Sequence, residues 1–147
     1  TDLIARSKRN PLFVPGSQLF LQHMIERETD FIDQYAGTIV VQAVGKGNLC
    51  VFEKTGKKIE NSGGLNQVII SYGTMTGIPI ELLPQSPPAD NQSFIKEGLA
   101  ATVLARYQEG SWHRMQTTDD DLTNVNLQTV EQTTNFLYGM IKSYPAN

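Results

Sequence analysis

The chain has one cysteine in 147 residues, Cys50, and therefore no internal disulfide. That is compatible with a cytoplasmic protein and equally with a secreted bacterial one. Cys50 stands in the apolar run Leu49-Cys50-Val51-Phe52, where a thiol serves as a small buried hydrophobe rather than as a nucleophile. No apolar run approaches the roughly eighteen residues a membrane span requires, and no signal peptide is present. Charge of one sign is also scarce. The net charge is −3, and basic residues gather only at Arg6 to Arg9 and Lys54 to Lys58, which gives nucleic acid no footprint. With only two histidines, His23 and His113, imidazole chemistry has few places to occur. There is no Gly-x-Ser-x-Gly elbow and no His-Glu-x-x-His pair. The glycines of Gly45-Lys46-Gly47-Asn48 are not followed by a Gly-Lys-Ser/Thr ending, so they form a hairpin turn and not a phosphate loop.

What is present describes an ordinary, rather polar globular chain, 39% hydrophobic and 18% charged, of a length that suits one domain. Residues 1–15 form a proline-punctuated, irregular lead. A helix is expected from an N-cap at Ser17 to about Asp33, with Leu21, Met24, Ile25, Phe31 and Ile32 on one face. On that helix His23, Glu26, Glu28, Asp30 and Asp33 read as solvated. Residues 37–44 then predict a central strand buried on both faces, and Leu49–Glu53 a second strand. Loop at 55–64 leads to a helix over Leu65–Gly77 carrying Val68, Ile69 and Tyr72, and then to a strand over Ile78–Leu83. Pro84 to Pro88 read as loop. The first residue is Thr rather than Met, which fits a processed protein or an excised fragment.

The most informative stretch is Ala89 to Asn126. Asp90 and Asn91 open a short helix carrying Phe94 and Ile95, and Gly98 ends it. Ala100–Tyr107 predicts a buried strand, which runs into a loop bearing Trp112, His113 and the carboxylates Asp119, Asp120 and Asp121. Asn126 then caps a last helix, Leu127–Ser143, with a packing stripe of Val130, Thr134, Leu137, Tyr138 and Ile141. The alternation of helices and strands predicts an α/β domain, three-layer α/β/α, with a mostly parallel or mixed central sheet over residues 1–147. A buried strand that delivers a histidine and aspartates to its C-terminal loop is where α/β proteins place their sites. Two structural readings stand beside that one. Asp90 suits a helix N-cap, and the aspartate run suits a solvated loop, or a hard cation such as calcium. Asn91-Gln92-Ser93 also fits the glycosylation acceptor pattern.

The same stretch resembles the C-terminal half of the zinc aminopeptidase family, which includes secreted bacterial aminopeptidases, glutaminyl cyclases and the protease-like domain of the transferrin receptor. Family members read Ser-Asp-His-x-x-Phe-x-x-x-Gly before the strand, where this chain has Ala89-Asp90-Asn91-Gln92-Ser93-Phe94 and Gly98. They read Tyr-His-Thr after it, matched by Trp112-His113-Arg114, and an aspartate motif before the last helix, matched from Asp120. The resemblance implies a partial aminopeptidase-like fold, a secreted or periplasmic location, and a site that holds two zinc ions on five ligands. It makes His113 a metal ligand and sets Asp90, Trp112 and Asp120 beside the substrate pocket. It also expects an aspartate ligand where Val41-Gln42-Ala43-Val44-Gly45 places Gln42, and a carboxamide is a poor zinc donor. The family's His-x-Asp and Glu-Glu ligands have no counterpart before Gln42. Two functions from different classes follow. One is a non-catalytic binding or structural module. The other is part of a zinc-dependent aminopeptidase completed by another segment. About four strands would leave a sheet edge open, so association with a protein partner or with itself is expected.

Overall fold

A computed structural model describes residues 16–109 and 121–144. Its organising strand is β5, Ala101–Tyr107, in which residues 101–106 are all buried. A strand with no polar face must be covered on both sides and both edges, and β5 is. β1 (Thr38–Gln42) runs parallel to it, with Thr38 opposite Ala101 and Gln42 opposite Ala105. β2 (Asn48–Thr55) runs antiparallel on its other side, with Asn48 opposite Tyr107. β4 (Glu81–Ser86) pairs in parallel with β2 from Cys50 to Thr55. The short β3 (Ile59–Glu60) pairs with Lys54 and Thr55. Because β4 lines one edge of β2 along 50–55, β5 and β3 share the other edge in succession. The sheet is therefore mixed, and its outer strands are β1 and β4.

Helices cover both faces. Along β5, Ala101, Val103 and Ala105 alternate with Thr102, Leu104 and Arg106. Ala101 packs with Leu21 of α1 (Gly16–Arg27) and Phe94 of α4 (Asn91–Lys96). Leu104 packs with Ile69 of α3 (Gly63–Thr76) and with Phe136 and Met140 of α5 (Leu127–Ser143). The layering is α/β/α, as the sequence predicts. Helix α3 ends at the expected Gly77 and starts two residues earlier than expected, on a cap at Ser62. Ser62 Oγ accepts from Leu65 N–H at 3.3 Å, and Gly77, at φ 74°, sits in the left-handed region. Gly77 N–H bonds to Thr74 O and Ile78 N–H to Gly73 O, a Schellman ending that uses carbonyls a helix would otherwise leave open.

Five expectations are corrected. First, residues 17–33 do not form one helix. The helix breaks after Arg27 and resumes as α2 (Phe31–Gln34), because Thr29 and Asp30 are weak helix formers and Phe31 turns onto Tyr35 with ring centroids 5.7 Å apart. Second, β1 is an edge strand rather than a central one, and Val41 is 42% exposed. Third, residues 45–48 do not close a hairpin. β1 and β2 do not pair, because β5 lies between them, and the turn passes over the end of β5. Gly47, at φ 97°, packs so closely on the Tyr107 carbonyl that a Cβ there would overlap it. A hairpin tip does occur at the lysines, between β2 and β3. Fourth, the β4 strand starts three residues late and runs through Pro84, which an edge strand tolerates. Fifth, the buried stripe of α5 is Thr133, Phe136 and Met140. Tyr138 and Ile141 are 63% and 67% exposed, so the helix is rotated from the expected face.

Candidate functional site

The parallel strands β1 and β5 end together, with Gln42 beside Ala105. By alternation Gln42 lies on the Val40 face, the α1/α4 side of the sheet, and it is partly buried. Directly after it Ala43 adopts φ 51°, a left-handed conformation that costs a residue with a Cβ about 1 kcal/mol or more. Ala43 O accepts from Arg106 N–H at 3.3 Å. The chain then turns, and Gly45 O receives Asn126 N–H at 2.7 Å and Thr129 Oγ1 at 3.0 Å. These bonds dock the start of α5 on the turn. Asn126 Oδ1 accepts from Gln128 N–H at 2.9 Å, so the expected cap is formed.

Arg106 is 5% exposed and spans this end of the sheet. Its Nε donates to Thr133 Oγ1 at 2.9 Å, Nη1 to Gly47 O at 2.7 Å, and Nη2 to Gln132 Oε1. Burial pulls its pKa down, yet a guanidinium stays charged. Beneath it Cys50 is fully buried and donates to Ala105 O at 3.4 Å. Burial, and then the charge of Glu81, pushes the thiol up to about 12, so Cys50 is the inert hydrophobe the sequence implies.

The expected site residues fare differently. His113, Trp112, Asp119 and Asp120 lie outside the described residues. Asp121 is exposed and serves a local turn. Its Oδ1 accepts from Thr123 Oγ1 and Thr123 N–H, and these bonds hold the carboxyl below its usual range. Asp90 does not cap α4. It is itself in helical conformation and makes no side-chain cap bond, so its carboxylate is not folded over the free N–H groups. Instead Ser17 Oγ donates to Asp90 Oδ1 at 3.1 Å and also meets Ser93 Oγ at 3.0 Å, which ties α1 to α4. His23, Glu26, Glu28, Asp30 and Asp33 are exposed, as expected.

Sequence reasoning missed a buried polar cluster where α4 meets the ends of β2, β3 and β4. Asn91 is fully buried. Its Nδ2 donates to Thr55 Oγ1 at 3.0 Å and to Asn61 Oδ1 at 2.7 Å. Ser86 Oγ donates to Thr55 Oγ1 at 3.2 Å, and Asn61 and Asn66 both donate to Phe52 O, at 3.0 and 2.8 Å. Asn91 Oδ1 is the one buried side-chain polar atom without a partner among the described residues. The sequence signal for it was slight: Asn91 stands where the resembling family reads His. Buried in this way, Asn91 offers no glycan acceptor on the folded surface.

As a zinc site, the described part of this end does not fit. Gln42 is neutral, and among the described residues no group of three or more His, Cys, Asp or Glu is placed to hold a metal ion. Among them, too, no helix is long and apolar enough to cross a membrane.

Taken together, the sheet order and the helices on both faces define an α/β fold of three layers with a mixed sheet. The structure is similar to that of the LapA aminopeptidase of Legionella pneumophila, with a TM-score of 0.73 at 13% sequence identity, over 92% of this chain and 37% of that one. At that identity the likeness is one of fold, and the chain spans just over a third of that aminopeptidase's length. No family model and no curated protein matches the sequence.

Proposed function

We propose that this chain is a non-catalytic aminopeptidase-like domain that acts as a binding or structural module. Gln42 carries the reading. It stands at the C-terminal end of β1, beside β5, where the family resemblance calls for an aspartate, and its carboxamide brings neither the charge nor the donor strength that cocatalytic zinc takes. The two described aspartates of the resembling motifs, Asp90 and Asp121, are engaged in structural hydrogen bonds, which supports the same reading. A secreted or periplasmic location goes with it.

A second reading rests on the coverage of LapA, 37% of that chain. This chain would then be part of a zinc-dependent aminopeptidase, with His113 as one ligand and the others on another segment. Calorimetric zinc titration of wild type and His113→Ala, with hydrolysis of aminoacyl substrates alongside, separates the two. We expect no stoichiometric zinc binding and no turnover in either protein. One or two tightly bound zinc ions in the wild type, lost in His113→Ala, would overturn the proposal in favour of the enzyme.

A further inference from the structure

At the N-terminal end of β1, the end away from Gln42, lies a cleft of about 660 Å³ lined by α1, α2, the turn between them and Phe94 of α4. That is a volume suited to a small organic molecule. Four aromatic rings line it: Phe20, Phe31, Tyr35 and Phe94. The planes of Phe31 and Tyr35 are 60° apart with centroids at 5.7 Å, so the two rings form a corner, and Tyr35 stacks on Phe94 at 6.4 Å. The corner is held from behind. Phe94 is 8% exposed and packs with Leu21 and Ala101. Tyr35 Oη donates to Ala100 O at 2.6 Å and lies 2.8 Å from Thr38 Oγ1. Rings fixed in this way need little ordering when a ligand arrives.

The charges of the lining are of one sign. Glu28 and Asp30 line the cleft and no Lys, Arg or His does. Among the described residues neither carboxylate is in an ion pair. An anion would be repelled here, and a neutral apolar ligand would make no use of the carboxylates. A bare metal ion would find two carboxylates and rings, too few donors to replace its water. What suits both features is an organic cation, since ring faces are electronegative and attract an ammonium whose charge is spread over methyl groups. We propose that this cleft binds a small quaternary ammonium cation of the choline class, with its methyl groups against the rings and its charge matched by Glu28 and Asp30. The inference gives a ligand to the chain read as a binding module, but it does not rest on Gln42 or on the metal. Zinc binding with turnover would sink the non-catalytic reading and leave this one intact.

The test is titration of the full chain with choline, read by calorimetry and by NMR of the aromatic side chains. The expected result is a single site, with proximity signals from the choline methyl protons to Phe31 and Tyr35. Dimethylbutanol, the neutral isostere in which carbon replaces the nitrogen, should bind at least about fivefold more weakly. Glycine betaine should also bind more weakly, because Glu28 and Asp30 repel its carboxylate. Glu28→Gln together with Asp30→Asn should weaken choline about threefold or more. Both positions are exposed, so the circular dichroism should not change. No binding of free choline, methyl contacts elsewhere on the chain, equal affinity for the isostere or an unweakened double variant would each overturn the proposal. So would attachment to phosphatidylcholine vesicles that free choline does not compete, which would give this face to a membrane instead. Should the double variant fail to fold, the comparison of choline with its isostere on the wild type decides alone.

Discussion

Asn91 ties α4 to Thr55 of β2 and to Asn61, just after β3, through a single carboxamide. Its two donated bonds hold Thr55 and Asn61, and the flip that would satisfy its orphaned Oδ1 would set that oxygen against the Asn61 Oδ1 acceptor. The orientation is fixed by its neighbours. Asn91→Ala should cost about 2 kcal/mol in a denaturant titration, because it leaves buried polar groups short of partners. Asn91→Asp should cost more, since it places a carboxylate against Asn61 Oδ1 in a fully buried position. Equal stability of the two variants would show that the cluster is not a tight hydrogen-bonded unit. At this scale the sequence was partly legible. Cys50 in its apolar run, Gly77 at a helix end and Asn126 before α5 announce their roles, since each role depends on immediate neighbours. Asn91 and Asp90 did not. Whether a polar residue at a helix start caps its own helix or reaches another element is settled by what packs above it, and Ser17 lies more than seventy residues away in sequence.

Elements were legible where their cause is local. Helix α3 and strand β5 lie within two residues of where hydrophobic period and glycine signals put them. Misplacement came where tertiary contacts won. The α5 face is rotated because Thr133 receives Arg106 and Phe136 meets Tyr72 edge-on at 5.2 Å, while Tyr138 points outward under Lys142. The turn after β1 shows the limit most clearly. Gly-Lys-Gly-Asn is a fair hairpin turn taken alone, and nothing within it says that a third strand will pass between its arms. The close approach of Gly47 to Tyr107 makes the crossing possible. Gly47→Ala should therefore lose roughly 2–3 kcal/mol from overlap and positive φ together. A fall below about 1 kcal/mol in thermal or chemical unfolding would mean that the turn can lift away from β5 freely.

For the whole molecule, the α/β/α layering and the mixed sheet were readable from alternation, whereas strand order was not, since pairing partners lie dozens of residues apart. The order assigns each strand a different standing. β5 is enclosed by β1 and β2 and covered on both faces, so its amides, with those of β2, should exchange slowest in a native-state experiment, and those of α1 and α2 much faster. Protection that peaked instead in α5 would place the stable unit outside the sheet. The central strand is also the last to be made. β1 pairs from Thr38 to Ala101 and β2 from Asn48 to Tyr107, so during synthesis neither flank can form its ladder with β5 until a strand some fifty to sixty-five residues further on has been made. Until residue 107 has left the ribosome, β1 and that side of β2 lack the strand they pair with. A nascent chain in that state shows two open edges to any passing β-segment, including the finished β5 of a neighbour on the same message.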